Sequence, residues 1–457
     1  MKHLNGSNFA TFTLANPPTY DVSNLPIGVI HLGLGAFHRA HQAAYFESAL
    51  RNGTSKLAIA GVSQRSSDVA DLLAAQDCFY TVNERSGSEQ SPKIFGAIRQ
   101  ALFYPRDRAA LIAMSESQAL TAITITATEK AYQVTDGHES DLPSRIAALL
   151  AARFEAKRGG LSIISCDNLT SNGELIKKLV LEASAKLDKH GLINWIEREN
   201  YFPNSMVDRI VPAITAERID GFEAEFGYRD ESLLTTEPFT QWAIENCPLS
   251  QTLAGTGVEF VDDVAGYEMT KIRIFNGAHS TIAYLGELAG LKFIADGIAN
   301  PAINSFIAHL QENELAKSFT SPPGMDPIEY AKRIRKRISN LNLRHRCQQI
   351  AMDGSLKLTQ RLFPTINDLL AKQLPTQYIA TAIAVWLRYL EINDRISDPL
   401  AAELVPLARN SDVAIATKSV LTHEKLLVKV NPGNFEAIAQ ALEKLRSKPV
   451  LEVLTSL

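Results

Sequence analysis

The sequence predicts two architectures in succession: an α/β domain built on a parallel sheet, then a mostly α-helical domain. Three observations carry this prediction. In the first half, short β-branched runs alternate with helix-like stretches. Those runs are apolar throughout instead of alternating, as expected for strands covered on both faces. Beyond about residue 264, apolar residues recur at three- and four-residue spacing with few strand-like runs, the pattern of a helical bundle.

The strand candidates are "IGVIHLGLG" (27–35), "KLAIAGVS" (56–63), "ALTAITITAT" (119–128) and "GLSIISCDN" (160–168). Helical patterning lies between them, in "RAHQAAYFESALRNG" (39–53) and "SSDVADLLAAQ" (66–76). This order predicts an open α/β sheet. The second half carries "STIAYLGELAGLKFIADGI", "QYIATAIAVWLRYLEI" and "NFEAIAQALEKLRSK", each with helical periodicity. At 457 residues the chain exceeds what a single core covers, so two domains are expected, 1–263 and 264–457, joined near "FVDDVAGYE" (260–268).

Hydrophobic residues make up 46% and charged residues 21%, with a formal net charge of -4. That balance supplies no field for nucleic acid or an anionic membrane. The one basic run, "KRIRKR" (332–337), reads as a solvated helix face. Cys78, Cys166, Cys247 and Cys347 lie far apart with no CxxC pair, which points to a reducing compartment. "MKHLNGSNFA" has no apolar core of a signal peptide, and no run of about 18 apolar residues occurs. A cytoplasmic protein acting on a small molecule is expected, with neither a nucleic-acid nor a membrane partner.

"HLGLGAFHRAHQA" (31–43) runs from the end of the first strand into a helix. Gly33 and Gly35 allow a tight turn and let backbone amides approach a pyrophosphate, as in a Rossmann-type dinucleotide-binding domain. The third fingerprint position is His38 instead of glycine or alanine. The acid expected on the adenosine ribose is Asp68 in "AGVSQRSSD", farther along than the usual ~20 residues past the motif. Arg65 leaves room for a 2′-phosphate, and NAD is favoured over NADP. His38 and His41 share a helix face but have no acidic or sulfur partner at metal-ligand spacing, so they read as structural and no metal is expected.

"YEMTKIRIFNGAHS" (267–280) sets a lysine, an amide and an imidazole among apolar residues. At about 100° per residue, Glu268, Lys271, Asn276 and His279 fall on one arc of a helix, shared with Ile272 and Phe275. One reading is a boundary helix with locally bonded polar groups. The other is catalytic. Oxidising a secondary alcohol needs a base for the hydroxyl proton and donors for the developing alkoxide. A lysine serves as that base when burial or a second cation lowers its pKa, and Glu268 would act in the opposite sense.

"GLGAFHRAHQAAYF" (33–46), "TATEKAY" (126–132), "SCDNLTSNGE" (165–174), "FPNSMVDRIVPA" (202–213), "EPFTQWAIE" (237–245) and "EMTKIRIFNGAHS" (268–280) resemble, in order, the polyol-specific long-chain dehydrogenase/reductase (mannitol dehydrogenase) family. The resemblance runs from about residue 26 into the 360s. It implies a Rossmann-type domain followed by a helical domain, and a zinc-independent NAD enzyme, monomeric as relatives often are. It implies Lys271 as general acid/base, Asn168 and Asn276 on the reacting oxygen, Glu268 as proton relay, and His279 and Asp208 at the substrate. It sets Gly33, Gly35, Phe37, His38, Arg39, Asp68, Thr126 and Glu129 at the cofactor. Ala278 in "NGAH", the "TEKAY" variant and Thr359 depart from the family pattern without removing a group of assigned role.

"LRHRCQQIAMDGSLKLTQRL" (343–362) resembles the fructuronate reductase branch more than the mannitol branch, which carries arginine at the position of Gln349. A uronate carboxylate suits cations such as Arg344, Arg346, Lys357 and Arg361, which otherwise form a solvated helix face or a set of structural ion pairs. The expected reaction is reduction of D-fructuronate to D-mannonate with NADH. Mannitol, tagaturonate and pentitol substrates remain alternatives, as do a metal-dependent polyol dehydrogenase and a non-catalytic NAD sensor.

Overall fold

A computed structural model of the chain describes residues 2–127, 131–135, 139–342 and 345–457. The chain forms two compact units, Met1–Ala265 and Gly266–Leu457. The strands of the first unit are β1 (Ile27–Leu32), β2 (Ala58–Ser63), β3 (Tyr80–Ser86), β4 (Glu89–Phe95), β5 (Ile98–Phe103), β6 (Ala122–Ile125), β7 (Ser162–Ser165), β8 (Ser205–Asp208), β9 (Leu234–Thr236), β10 (Gln241–Glu245) and β11 (Glu259–Val261).

The central sheet has the order β5-β2-β1-β6-β7, and every neighbouring pair is parallel. Its runs are wholly apolar because successive residues feed two cores. Val29, Ile59, Ala122 and Ile164 pack into one, against Phe46 and Leu50 of the helix Gln42–Arg51. Ile30, Leu32, Val62, Ile123, Ile125 and Ile163 pack into the other, against Ile146 and Leu149 of Leu142–Glu155. Strand order reverses between β1 and β6, which opens a crevice beyond their carboxyl ends.

β5 and the β3–β4 hairpin are absent from the four strands expected from the sequence. β5 is an edge strand whose Arg99 and Gln100 are only half-buried, so it lacks the continuous apolar run of a central strand. β3, β4 and β9 form a small mixed sheet, and β8, β10 and β11 form another.

The second unit is helical. Gln377–Ile392 is almost wholly buried and packs on Phe435–Ser447 and Ala278–Ala289. The expected helix over 280–298 is two helices: Gly290, at φ 71°, ends the first, and Ile294–Ala299 begins after Phe293, whose amide donates to Asp296. "KRIRKR" lies in Pro327–Ile338 but is not simply a solvated face. Arg335 binds Gln311 and Glu312, and Arg337 lies over the Phe275 ring at 5.0 Å. All four cysteines are buried and unpaired. Among the described residues, no helix is long and apolar enough to cross a membrane.

Glu314 is buried beneath the start of the helix Gln377–Ile392 and accepts the Tyr378 and Ile379 amides at 2.9 and 2.7 Å. Burial pushes its carboxyl up from 4.5 to about 7 against those hydrogen bonds. A raised carboxyl pKa favours the folded state while the group is protonated. That contribution is complete below about 4.5 and disappears as pH rises through about 7, with a slope of at most ~1.4 kcal/mol per pH unit. Denaturation midpoints for Glu314→Gln are expected to show a flatter pH dependence across this window than the parent protein; identical profiles would refute the assignment.

Candidate active site

The glycine turn sits where the sheet order reverses. Gly33 has φ 126°, and a Cβ there would stand 1.7 Å from the Thr126 carbonyl oxygen, so no side chain fits. Its amide donates to the Val62 carbonyl at 2.9 Å, and its carbonyl accepts the Thr126 hydroxyl at 2.8 Å. His31, in β1, braces the turn from below. Its Nδ1 lies 2.7 Å from the Thr124 hydroxyl and its Nε2 lies 2.8 Å from Thr126 Oγ1. Burial holds this imidazole down at about 3. A neutral ring protonated on Nε2 satisfies these contacts, donating to Thr126 and accepting from Thr124.

The turn forms one wall of a cleft of about 850 Å³. Gly33, Gly35, Phe37, Thr126 and Asn168, all expected at the site from the sequence, line it. The ends of β2 and β7 contribute Ser63–Ser66 and Cys166–Asn168, and Arg145 and Asp141 complete the far side. Sequence reasoning named Arg65 but missed its neighbours Ser63, Gln64 and Ser66, together with Arg145, Asp141 and Asp167. The topological rule that ligands lie at the carboxyl ends of parallel strands would have found most of them. Asp167 accepts the Ala127 amide at 2.8 Å and the Tyr132 hydroxyl at 2.5 Å, which ties the segments following β6 and β7 together at the cleft wall.

Three expected cofactor residues do not line this cleft. His38 is fully buried and stacks on His31, ring centroids 3.3 Å apart; burial and that neighbour keep it uncharged. Arg39 is buried and donates to the Ser232 carbonyl at 3.0 Å. Asp68 is exposed and opens the helix Asp68–Ala75, two residues past the lining segment. Glu129 lies outside the described residues. His41 donates from Nε2 to the Gln241 carbonyl at 2.8 Å. Asp208 closes β8 and is 2% exposed, next to Arg209, which binds the Ala40 and Glu237 carbonyls and Glu84. Among the described residues, no group of three His, Cys, Asp or Glu side chains could hold a metal ion.

In the second unit, Glu268 lies in the helix Ala265–Thr270, and Lys271–Gly277 continues it as a π-helical stretch into Ala278–Ala289. The regular 100° spacing therefore does not hold between Lys271 and Asn276. Wider turns release carbonyls from the usual ladder, and side chains collect them. Gln311 donates to the Ile274 carbonyl at 3.1 Å, and Arg361 to the Asn276 carbonyl at 3.4 Å. Such bulges occur frequently at functional sites. Lys271 is 7% exposed, while Asn276 and His279 are half-buried.

His279 stacks against Phe275 at 5.5 Å and faces His345 at 5.8 Å. Burial, then His345, Arg361, Lys357 and Arg337, holds it well below its ordinary value. A concentration of positive charge thus surrounds His279. Lys357 donates to the Ile350 carbonyl at 3.1 Å, and Arg361 to Ser280 at 2.7 Å. Arg346 is exposed and pairs through its backbone with Phe293, while Arg344 lies outside the described residues.

A parallel sheet with a glycine turn at its reversal point, followed by a helical unit carrying a lysine, an amide and an imidazole, defines a Rossmann-type oxidoreductase. Family models described as the mannitol dehydrogenase Rossmann domain and the mannitol dehydrogenase C-terminal domain match residues 27–254 and 263–446. The chain belongs to the mannitol dehydrogenase family of enzymes acting on CH–OH groups. It is 33% identical to D-mannonate oxidoreductase of Escherichia coli (strain K12), across 96% of this chain and 97% of that one. It is 32% identical to mannitol 2-dehydrogenase of Emericella nidulans, across 89% of each chain. Among solved structures, Pseudomonas fluorescens mannitol 2-dehydrogenase in ternary complex with NAD and D-mannitol matches at a TM-score of 0.83 and 29% identity, covering 100% of this chain and 99% of that one. A D-sorbitol dehydrogenase in substrate-free form matches at 0.88 and 25% identity, covering 99% and 100%.

Proposed function

We propose that this enzyme interconverts a keto-sugar acid and its sugar acid with NAD(H), reducing D-fructuronate to D-mannonate. The observation that carries the reading is the cationic surround of His279, formed by Arg361, Lys357 and Arg337 from the helices Gly354–Arg361 and Pro327–Ile338, beside the stretch that bears Lys271 and Asn276. A carboxylate-bearing sugar gains from such charge and a neutral polyol does not. The likeness to D-mannonate oxidoreductase across 96% of the chain agrees with it.

The cleft fits a dinucleotide: its glycine turn leaves no space for a side chain and its volume is that of a cofactor site. The bound dinucleotide supplies or accepts the hydride. Lys271 gives a proton to the carbonyl oxygen in reduction and takes it from the hydroxyl in oxidation. The amides of Asn168 and Asn276 donate to that oxygen as charge develops. Glu268, one turn before Lys271, exchanges the proton with water. His279, held neutral, donates to or accepts from a sugar hydroxyl, and Asp208 accepts from another.

A second reading, mannitol 2-dehydrogenase activity, is favoured by the likenesses to the Emericella nidulans and Pseudomonas fluorescens enzymes. Steady-state assays with fructuronate and fructose decide between them. The expected result is a kcat/KM for fructuronate at least ~100-fold higher, about 2.7 kcal/mol of transition-state binding. A higher value for fructose would overturn the sugar-acid reading.

A further inference from the structure

The π-helical stretch Lys271–Gly277 carries both Lys271 and Asn276, and the Ile274 carbonyl stands between them in the chain. A fully buried side chain from elsewhere in the second unit meets that carbonyl. Gln311 is 0% exposed, and its Nε2 donates to the Ile274 oxygen at 3.1 Å. Gln311 lies in another π-helical stretch, Leu310–Glu314, so two wide turns are joined through its amide. That second stretch is itself anchored at its end, where Glu314 accepts the Tyr378 and Ile379 amides of the helix Gln377–Ile392.

A side-chain amide has a donating and an accepting end, and the end that faces the carbonyl decides whether the contact attracts or repels. Arg335 fixes that choice. A guanidinium only donates, and its Nη1 lies 2.8 Å from Gln311 Oε1, which leaves Nε2 for Ile274. Arg335 is held in turn by the Glu312 carboxylate. The helix Pro327–Ile338 that supplies Arg335 also supplies Arg337, which lies over the Phe275 ring at 5.0 Å. One helix thus braces two successive residues of the stretch, Ile274 through Gln311 and Phe275 directly. Ile274 is three residues after Lys271 and two before Asn276, so a turn of its peptide moves the ammonium against the amide. A shift of ~1 Å between reacting groups costs about 100-fold in rate.

We infer that Gln311, oriented by Arg335, is a positioning residue for the reaction: by holding the Ile274 carbonyl it sets the wide turn that places Lys271 and Asn276 relative to each other. This rests on the roles proposed above for Lys271 and Asn276 and adds to them the buried group that keeps the two in register. Gln311 acts through the backbone and touches neither sugar nor cofactor.

The test uses two variants of the full chain, Gln311→Glu and Gln311→Met, assayed with D-fructuronate and NADH well below their denaturation midpoints. Gln311→Glu keeps the volume and the pairing with Arg335 and sets a carboxylate oxygen against the carbonyl. Gln311→Met keeps most of the volume and removes both hydrogen bonds. In each, kcat is expected to fall about tenfold or more, with a smaller change in KM and NADH affinity within about twofold of the parent. A purely structural role would lower the denaturation midpoint and leave kcat per NADH-binding site where it was. Parental kcat in either variant overturns the inference. Lys271→Ala, assayed alongside, separates the two levels. If it loses turnover while a Gln311 variant keeps the parental kcat, this inference alone falls; if Lys271→Ala keeps its turnover, the reading of Lys271 falls and this inference with it.

Discussion

Lys271→Ala is expected to retain NADH binding while turnover of the sugar acid falls by about three orders of magnitude, the scale of a lost general acid–base group. The cleft that fits the dinucleotide is built from residues of the first unit, whereas Lys271 begins the π-helical stretch of the second. Binding and chemistry are therefore separable by this one variant. Removing the side chain also leaves a small space at a site only 7% exposed, so added methylamine should restore part of the rate. Stopped-flow and steady-state assays across pH check the result. Undiminished turnover would pass the proton to another group.

Gly33→Ala carries the second large effect. The added carbon would stand 1.7 Å from the Thr126 carbonyl oxygen, a backbone atom that cannot rotate away, and the backbone is at φ 126°. Clash and strain together should cost about 3 kcal/mol or more, and the turn can escape only by breaking from Val62 and Thr126. Loss of NADH binding, with a lowered denaturation midpoint, is the expected outcome. A variant with the parent's affinity and stability would show that the turn tolerates a side chain and would remove the basis for placing the pyrophosphate there. His31 explains the stakes, since its neutral ring joins the turn to β6 through Thr124 and Thr126.

Four of the five central strands were legible because burial on both faces demands continuous apolar runs, as Val29 and Ile30 show by entering different cores. The edge strand β5 needs no such run and was not legible. Gly33, Gly35, Phe37, Thr126 and Asn168 could be named in advance and do meet at one cleft. Asp68 could not be placed by counting, because the chain turns into a helix at that residue, and the lining falls to Ser63–Ser66. His38 and Arg39 follow the turn in sequence, yet the helix rotates them inward onto His31 and Ser232.

By itself the sequence determined the succession of an α/β unit and a helical unit, the glycine turn, and the grouping of Lys271, Asn276 and His279 on one segment. These are local properties: hydrophobic period, the absence of a side chain, and separation along the chain. Only the tertiary structure decided that this segment is π-helical, because the carbonyls it releases are met by Gln311 and Arg361 from remote helices. It also decided that Arg337 turns inward toward Phe275 and His279, and that Asp68 falls outside the cleft lining. A side chain's charge is written in the sequence, but its partners come from distant parts of the chain, and those partners set what the charge does.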